Sequence, residues 1–170
     1  MKKSLIVIVI ATVIIICVGI LFNFYFVANE MILIPVVGAL ITMAIGFFNH
    51  QIAHDNLFKE LFHSFNEKYD IKFNKRLNEL VENESNYNAV ADKALIVDYL
   101  NFCAEEYLWY TKDRIDEIVW LSWQEGMKYY INKDFVRKIA LEEIRNNNNS
   151  YYNFFNNQFP KLLKEAALKK

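Results

Sequence analysis

Glycine and proline are scarce in this chain, with four and two among 170 residues. An all-β fold needs turn chemistry about every 8–12 residues, so that class is excluded. Cysteine is equally rare. Cys17 and Cys103 lie in separate apolar contexts, without the spacing of a metal site or a redox pair. Each reads as a small hydrophobe. Charge is nearly absent from the first 48 residues, which hold only Lys2, Lys3 and Glu30. The remainder carries 17 basic and 19 acidic side chains. No GxGxxG, GxxxxGK[ST] or GxSxG pattern occurs, so the usual phosphate cradles and the nucleophile elbow are missing. A basic stripe is missing too, and direct nucleic-acid binding is not expected. Nothing implies a cofactor.

What the chain has in abundance is apolar sequence. "LIVIVIATVIIICVGILFNFYFV", residues 5–27, is interrupted only by Thr12 and Asn23, and "MILIPVVGALITMAIGFF" follows at residues 31–48. The first run exceeds the roughly 20 residues that cross a hydrocarbon core, and is too long for a signal-peptide core of about 7–15 residues. Backbone facing lipid must be internally bonded. The two runs therefore predict a transmembrane helical hairpin over 1–48, joined by the turn at Glu30. Lys2 and Lys3 set both termini on the cytoplasmic side of a bacterial inner membrane. Gly38, Thr42 and Gly46 form a small-residue ladder suited to close helix packing, within the hairpin or between copies. Membrane lipid, further copies of the chain and an unknown protein are the expected partners. One hairpin cannot enclose a water path, so any pore needs a homo-oligomer.

Residues 49–170 read as a cytoplasmic α-helical domain. No Gly or Pro occurs from Asn49 to Tyr99, so the second apolar helix is free to run on. Leu57, Phe58, Leu61, Phe62 and Phe65 keep helical spacing, and "ENESNYN" predicts a break. A helix over "ALIVDYLNFCAEEYLWYT" follows. The next carries Ile115, Val119, Trp123, Gly126 and Tyr130 on one face, where Gly126 suggests close approach of a neighbouring helix. "NKDFVRKIALEEIR" is a further helix with Asn132 as its candidate cap, broken by Asn146 to Asn149. Pro160 punctuates a last amphipathic piece with a lysine-rich end. The fold class is all-α.

The adjacent acids Glu105 and Glu106 are the sharpest chemical feature. On a helical wheel with Tyr99 at 0°, Cys103 falls at about 40°, Tyr110 at about 20° and Phe102 at about 300°. Glu106, at about 340°, lies inside this apolar arc, and Glu105, at about 240°, near its edge. A buried carboxylate needs a partner or a raised pKa. Two readings are open. Glu106 centres a polar network with Arg76, Arg114 or Arg137 and tyrosine hydroxyls, or it lines a ligand pocket with Glu105, Tyr99, Tyr110 and Arg114. No second catalytic group accompanies it, so no catalytic residue is assigned. His50 and His54 share a helix face at metal-binding spacing, but a third ligand is not evident.

"IVDYLNFCAEEYLWYTKDRIDEIVWLSWQEGM", "NNSYYNFF" and "FNKRLNEL", together with the preceding hairpin, resemble small bacterial two-span membrane proteins with a helical cytosolic domain. That type includes phage abortive-infection and CRISPR-accessory membrane proteins. The resemblance implies a non-enzymatic membrane effector or regulator in defence or stress, acting by self-association. The CRISPR-accessory proteins' nuclease motif places His four to six residues after Arg. Here the last histidine, His63, precedes the first arginine, Arg76, so the motif is missing. The rival expectation is a small-ligand receptor or enzyme with a pocket at Glu106.

Overall fold

The computed structural model describes residues 14–22, 30–83, 87–88 and 90–168. Lys2, Lys3, the outer parts of the 5–27 run, the turn before Glu30, much of "ENESNYN" and the last two lysines lie outside them. Every regular element among the described residues is helical. Residues 14–22 form α1. Then come α2 (Glu30–Tyr69), a π-helical turn (Asp70–Asn74), α3 (Lys75–Glu82), α4 (Ala91–Thr111), α5 (Glu117–Ile131) and α6 (Asp134–Asn147). A 3₁₀ turn (Asn148–Tyr151), α7 (Phe154–Gln158) and α8 (Pro160–Leu168) complete the order. The chain divides into two compact units, Met1–His54 and Asp55–Lys170.

Among the described residues, no helix is long and apolar enough to cross a membrane. This overturns the expectation of a two-span inner-membrane protein with a transmembrane hairpin and cytoplasmic termini. In α2 the apolar residues up to Phe48 are followed at once by Asn49, His50, Gln51, His54 and Asp55. A Cβ at Gly38 or Gly46 would meet nothing within 4 Å, and the Thr42 hydroxyl donates to the Gly38 carbonyl at 2.8 Å.

In the second unit α4 is the central helix. It buries Ile96, Tyr99, Leu100, Phe102, Cys103, Ala104 and Tyr107 and packs against α5, α6 and α7. Burial on this scale is what holds a helix of ordinary propensity in place, at about 25 cal/mol per Å² of apolar surface. Tyr107 packs against Trp120 and Phe154, and its hydroxyl accepts from Asn157 Nδ2 at 2.6 Å. Tyr110 stacks on Trp120, with centroids 5.0 Å apart. Along the first strip of the unit, Leu61, Phe65, Tyr69, Phe73 and Leu77 recur every four residues. In a pure α-helix such a series drifts by about 40° per step, since 3.6 residues make a turn. The wider π-helical turn takes up part of that drift, keeping Phe73 and Leu77 buried as Phe65 is.

Two local expectations are corrected. Asn132 closes α5, its N–H donating to the Lys128 carbonyl, rather than capping α6, which starts at Asp134. Gly126 marks no close helix approach, because a Cβ there would meet nothing within 4 Å. The asparagine run does end α6, through the 3₁₀ turn, and Pro160 opens α8, where its missing N–H costs nothing.

Candidate functional site

Among the described residues of this unit burial is almost wholly apolar, with two exceptions: Asp92 (3% exposed) and Glu106 (5%). They are satisfied in opposite ways. Asp92 accepts Arg76 Nε and Nη2, both at 2.8 Å, and the Asn88 backbone N–H. That bidentate pair holds its carboxyl below the usual carboxylate range, against the opposing effect of burial. One signal for it is legible in the sequence, an acid in the first turn of α4 four residues after Asn88; the partner on α3 comes only with the tertiary fold.

Glu106 has no hydrogen-bond or ion-pair partner among the described residues. The arginines weighed as its partners are placed elsewhere: Arg76 on Asp92 and Glu79, and Arg137 on Glu165. Arg114 lies in the turn after α4, its backbone N–H donating to the Trp109 carbonyl. The polar-network reading of Glu106 is therefore replaced. Glu105 turns outward and meets Lys68 Nζ at 3.1 Å, both side chains being partly exposed.

The Glu106 side chain instead lines a cleft of about 190 Å³ between α2, α4 and α5. Its walls are Phe65, Tyr69, Tyr99, Phe102, Trp123 and Tyr130, while Asn66, Ser122 and Gly126 stand toward solvent at its mouth. The rings support one another. Phe65 meets Phe102 and Trp123 edge-on at 5.7 and 5.8 Å, and Tyr99 meets Tyr130 edge-on at 5.8 Å. Phe62 stacks on the other face of the wall at Trp123, 5.9 Å away. Tyr69 and Tyr130 hydroxyls lie 3.1 Å apart, and Tyr130 donates to Asn78 Oδ1 at 2.7 Å. Of the residues singled out in the sequence, Tyr99 and Glu106 meet in the cleft; Glu105, Tyr110 and Arg114 do not line it. Phe65, Phe102, Trp123 and Tyr130 were legible only as core residues.

Burial pushes the Glu106 carboxyl well above the usual carboxylate range, with Glu105 adding to the shift and Lys68 opposing it. Burial likewise raises Tyr99, which bonds the Cys103 thiol, and raises Cys103 itself. Tyr69 is raised by burial and by its bond to Tyr130. Burial thus favours the uncharged form of the Glu106 carboxyl and of the Tyr69 and Tyr99 phenols that line the cleft. Among the described residues no group of three or more His, Cys, Asp or Glu is placed to hold a metal, so His50 and His54 find no third ligand there. Compared with family models, curated proteins and solved structures, the chain matches none.

Proposed function

We propose that residues 55–170 form a small-ligand-binding domain and that the Glu106 cleft is its site. The observation that carries the reading is a buried carboxyl without a protein partner facing a ring-lined hollow. A polar group left so is costly, by about 1–3 kcal/mol, unless a ligand or solvent completes its bonding. Concave, aromatic-lined space with few converging polar groups is what small-molecule sites share. In the defence or stress setting implied by the sequence resemblance, the ligand would be the trigger of a regulator. The test uses Gly126, whose Cβ direction is open. Gly126→Leu should fill the cleft without disturbing the core, so fragments detected by ligand-observed NMR on the wild type should lose their signal on the variant. An identical set of binders on both proteins overturns the reading.

A separate observation favours self-association through the first unit. Val37, Ile41, Ile45, Phe48 and Ile52 are exposed apolar side chains of α2, Ile41, Ile45, Phe48 and Ile52 each more than half exposed. With Ile41 at 0°, all five fall within an arc of about 80° at 100° per residue. Ile41, Ile45, Phe48 and Ile52 keep the 4-3-4 spacing of a coiled-coil seam, which is self-complementary. A second copy of α2 is the occupant this pattern fits. Sedimentation should show a concentration-dependent oligomer that Ile41→Glu with Ile45→Glu reduces to monomer. A wild type that stays monomeric at every concentration defeats it.

A further inference from the structure

The cleft has the two components by which proteins hold organic cations: ring faces, whose quadrupoles attract positive charge, and a carboxyl group. Six rings, those of Phe65, Tyr69, Tyr99, Phe102, Trp123 and Tyr130, line the hollow that Glu106 also lines. A neutral apolar occupant would leave that carboxyl unbonded. A cation satisfies the rings and the carboxyl together. The wall already makes one such contact, since Lys68 Nζ lies over the Phe102 ring at 5.2 Å while pairing with Glu105. Lys68 is thereby engaged with Glu105, and no ion pair joins it to Glu106 among the described residues.

We propose that the Glu106 cleft is a receptor site for an alkylammonium group, seated against the rings of Phe65, Tyr99, Phe102, Trp123 and Tyr130 with the Glu106 carboxylate as its counter-ion. This rests on the small-ligand reading and names its ligand class. Its volume, about 190 Å³, suits a headgroup with a few carbons rather than a large amphiphile. Burial raises the Glu106 carboxyl, and its protonated form gives binding a balanced proton step. A quaternary ammonium ion enters, the Glu106 O–H bond ionises, and the proton leaves to buffer through the mouth at Asn66, Ser122 and Gly126. Net charge in the cleft is unchanged by the exchange. The titratable or charged groups facing Glu106 are Tyr99, Cys103 and Glu105 of α4, Lys68 and Tyr69 of α2, and Tyr130 of α5. Tyr69, Tyr99 and Cys103 are raised, which keeps them protonated through the neutral range.

The experiment is isothermal titration of the full chain with tetramethylammonium, choline and 3,3-dimethyl-1-butanol, the uncharged isostere of choline. Titrations in phosphate and in Tris at pH 7 count protons. Choline should bind at least tenfold more tightly than the isostere, releasing close to one proton. Its affinity should rise with pH toward tenfold per unit while Glu106 is protonated, and that of the isostere should stay flat. Glu105→Gln should keep the preference for the cation and Glu106→Gln should lose it. Should Glu106→Gln fail to fold, the proton count and pH slope of the wild type still decide. Isostere binding equal to or tighter than choline, or no proton release, overturns the cation assignment while leaving the small-ligand cleft standing. Binding of none of the probes at millimolar concentration overturns the cation assignment; the Gly126→Leu fragment comparison then judges the cleft itself.

Discussion

Glu105 and Glu106 are adjacent in sequence and opposite in state. Glu105 reaches Lys68 at the surface, 3.1 Å away, whereas Glu106 is buried with its carboxyl facing a ring-lined cleft. One step of about 100° around α4 separates a surface ion pair from a buried carboxyl that has no partner among the described residues.

That contrast fixes a pH dependence for Glu106. Its folded pKa is raised, so the protonated form fits the fold and the ionised form opposes it. The stability it contributes is complete below the pKa it has in the unfolded chain, and is lost as pH rises through the folded value. The slope is at most about 1.4 kcal/mol per pH unit. Urea unfolding from pH 5 to 8 should show the wild type declining and Glu106→Gln declining less. Glu106→Met, which keeps the volume, should be at least as stable as the wild type at pH 7. A Met variant weakened by more than about 1 kcal/mol would mean that the carboxyl has a partner in the fold.

Asp92 carries the opposite sign. Arg76 depresses its pKa, so its contribution is complete above the unfolded value and disappears as pH falls through the folded one. Asp92→Ala removes charge-assisted bonds that tie α3 to α4 and should cost roughly 1.5–3 kcal/mol at pH 7. The deficit should shrink in acid. An equal deficit at pH 7 and pH 2.5, measured by denaturant melts, would contradict the ion-pair account.

Cys103 is fully buried and its thiol is raised by burial, with Glu106 adding to the shift. It should resist disulfide reagents in the native state and react only when α4 opens. In a Cys17→Ser background the labelling rate should rise with urea in step with unfolding. Rapid labelling without denaturant would show that α4 is less tightly covered than its packing implies.

Tyr152 has a left-handed backbone, with φ 49°, and its side chain is half exposed. The Cβ of an L-residue costs about 1–2 kcal/mol there, part of which glycine returns. Tyr152→Gly should raise stability by up to about 1 kcal/mol. A lower melting temperature would assign the ring a packing role that its exposure does not suggest.

The helical class and most of the helix order were legible because helical periodicity and the shortage of Gly and Pro are local properties. The inward arc of α4 was legible for the same reason: Ile96, Tyr99, Phe102, Cys103 and Glu106 are all buried. What surrounds Glu106 was not. Its neighbours Phe65, Trp123 and Tyr130 come from two other helices, and their ring positions follow from packing rather than from spacing. The pairing of Arg76 with Asp92 instead of Glu106 is likewise a choice between acceptors that only tertiary distance makes. The membrane expectation failed on another ground. Composition supplied an apolar run, but among the described residues no helix is long and apolar enough to cross a membrane.

The π-helical turn at Asp70–Asn74 bears on how this chain tolerates insertion and deletion. Geometrically such a turn is an α-helix carrying one residue too many. Deletions inside helices normally rotate everything downstream by about 100° and dismantle the core. Here the surplus residue can be identified with the solvent-facing side of the turn, where Ile71 is 78% exposed. Removing Ile71 would leave Phe73 and Leu77 on their present face while the turn tightens into ordinary α-helix. The segment is thus a point at which the chain's length is free to vary by one without a change of fold.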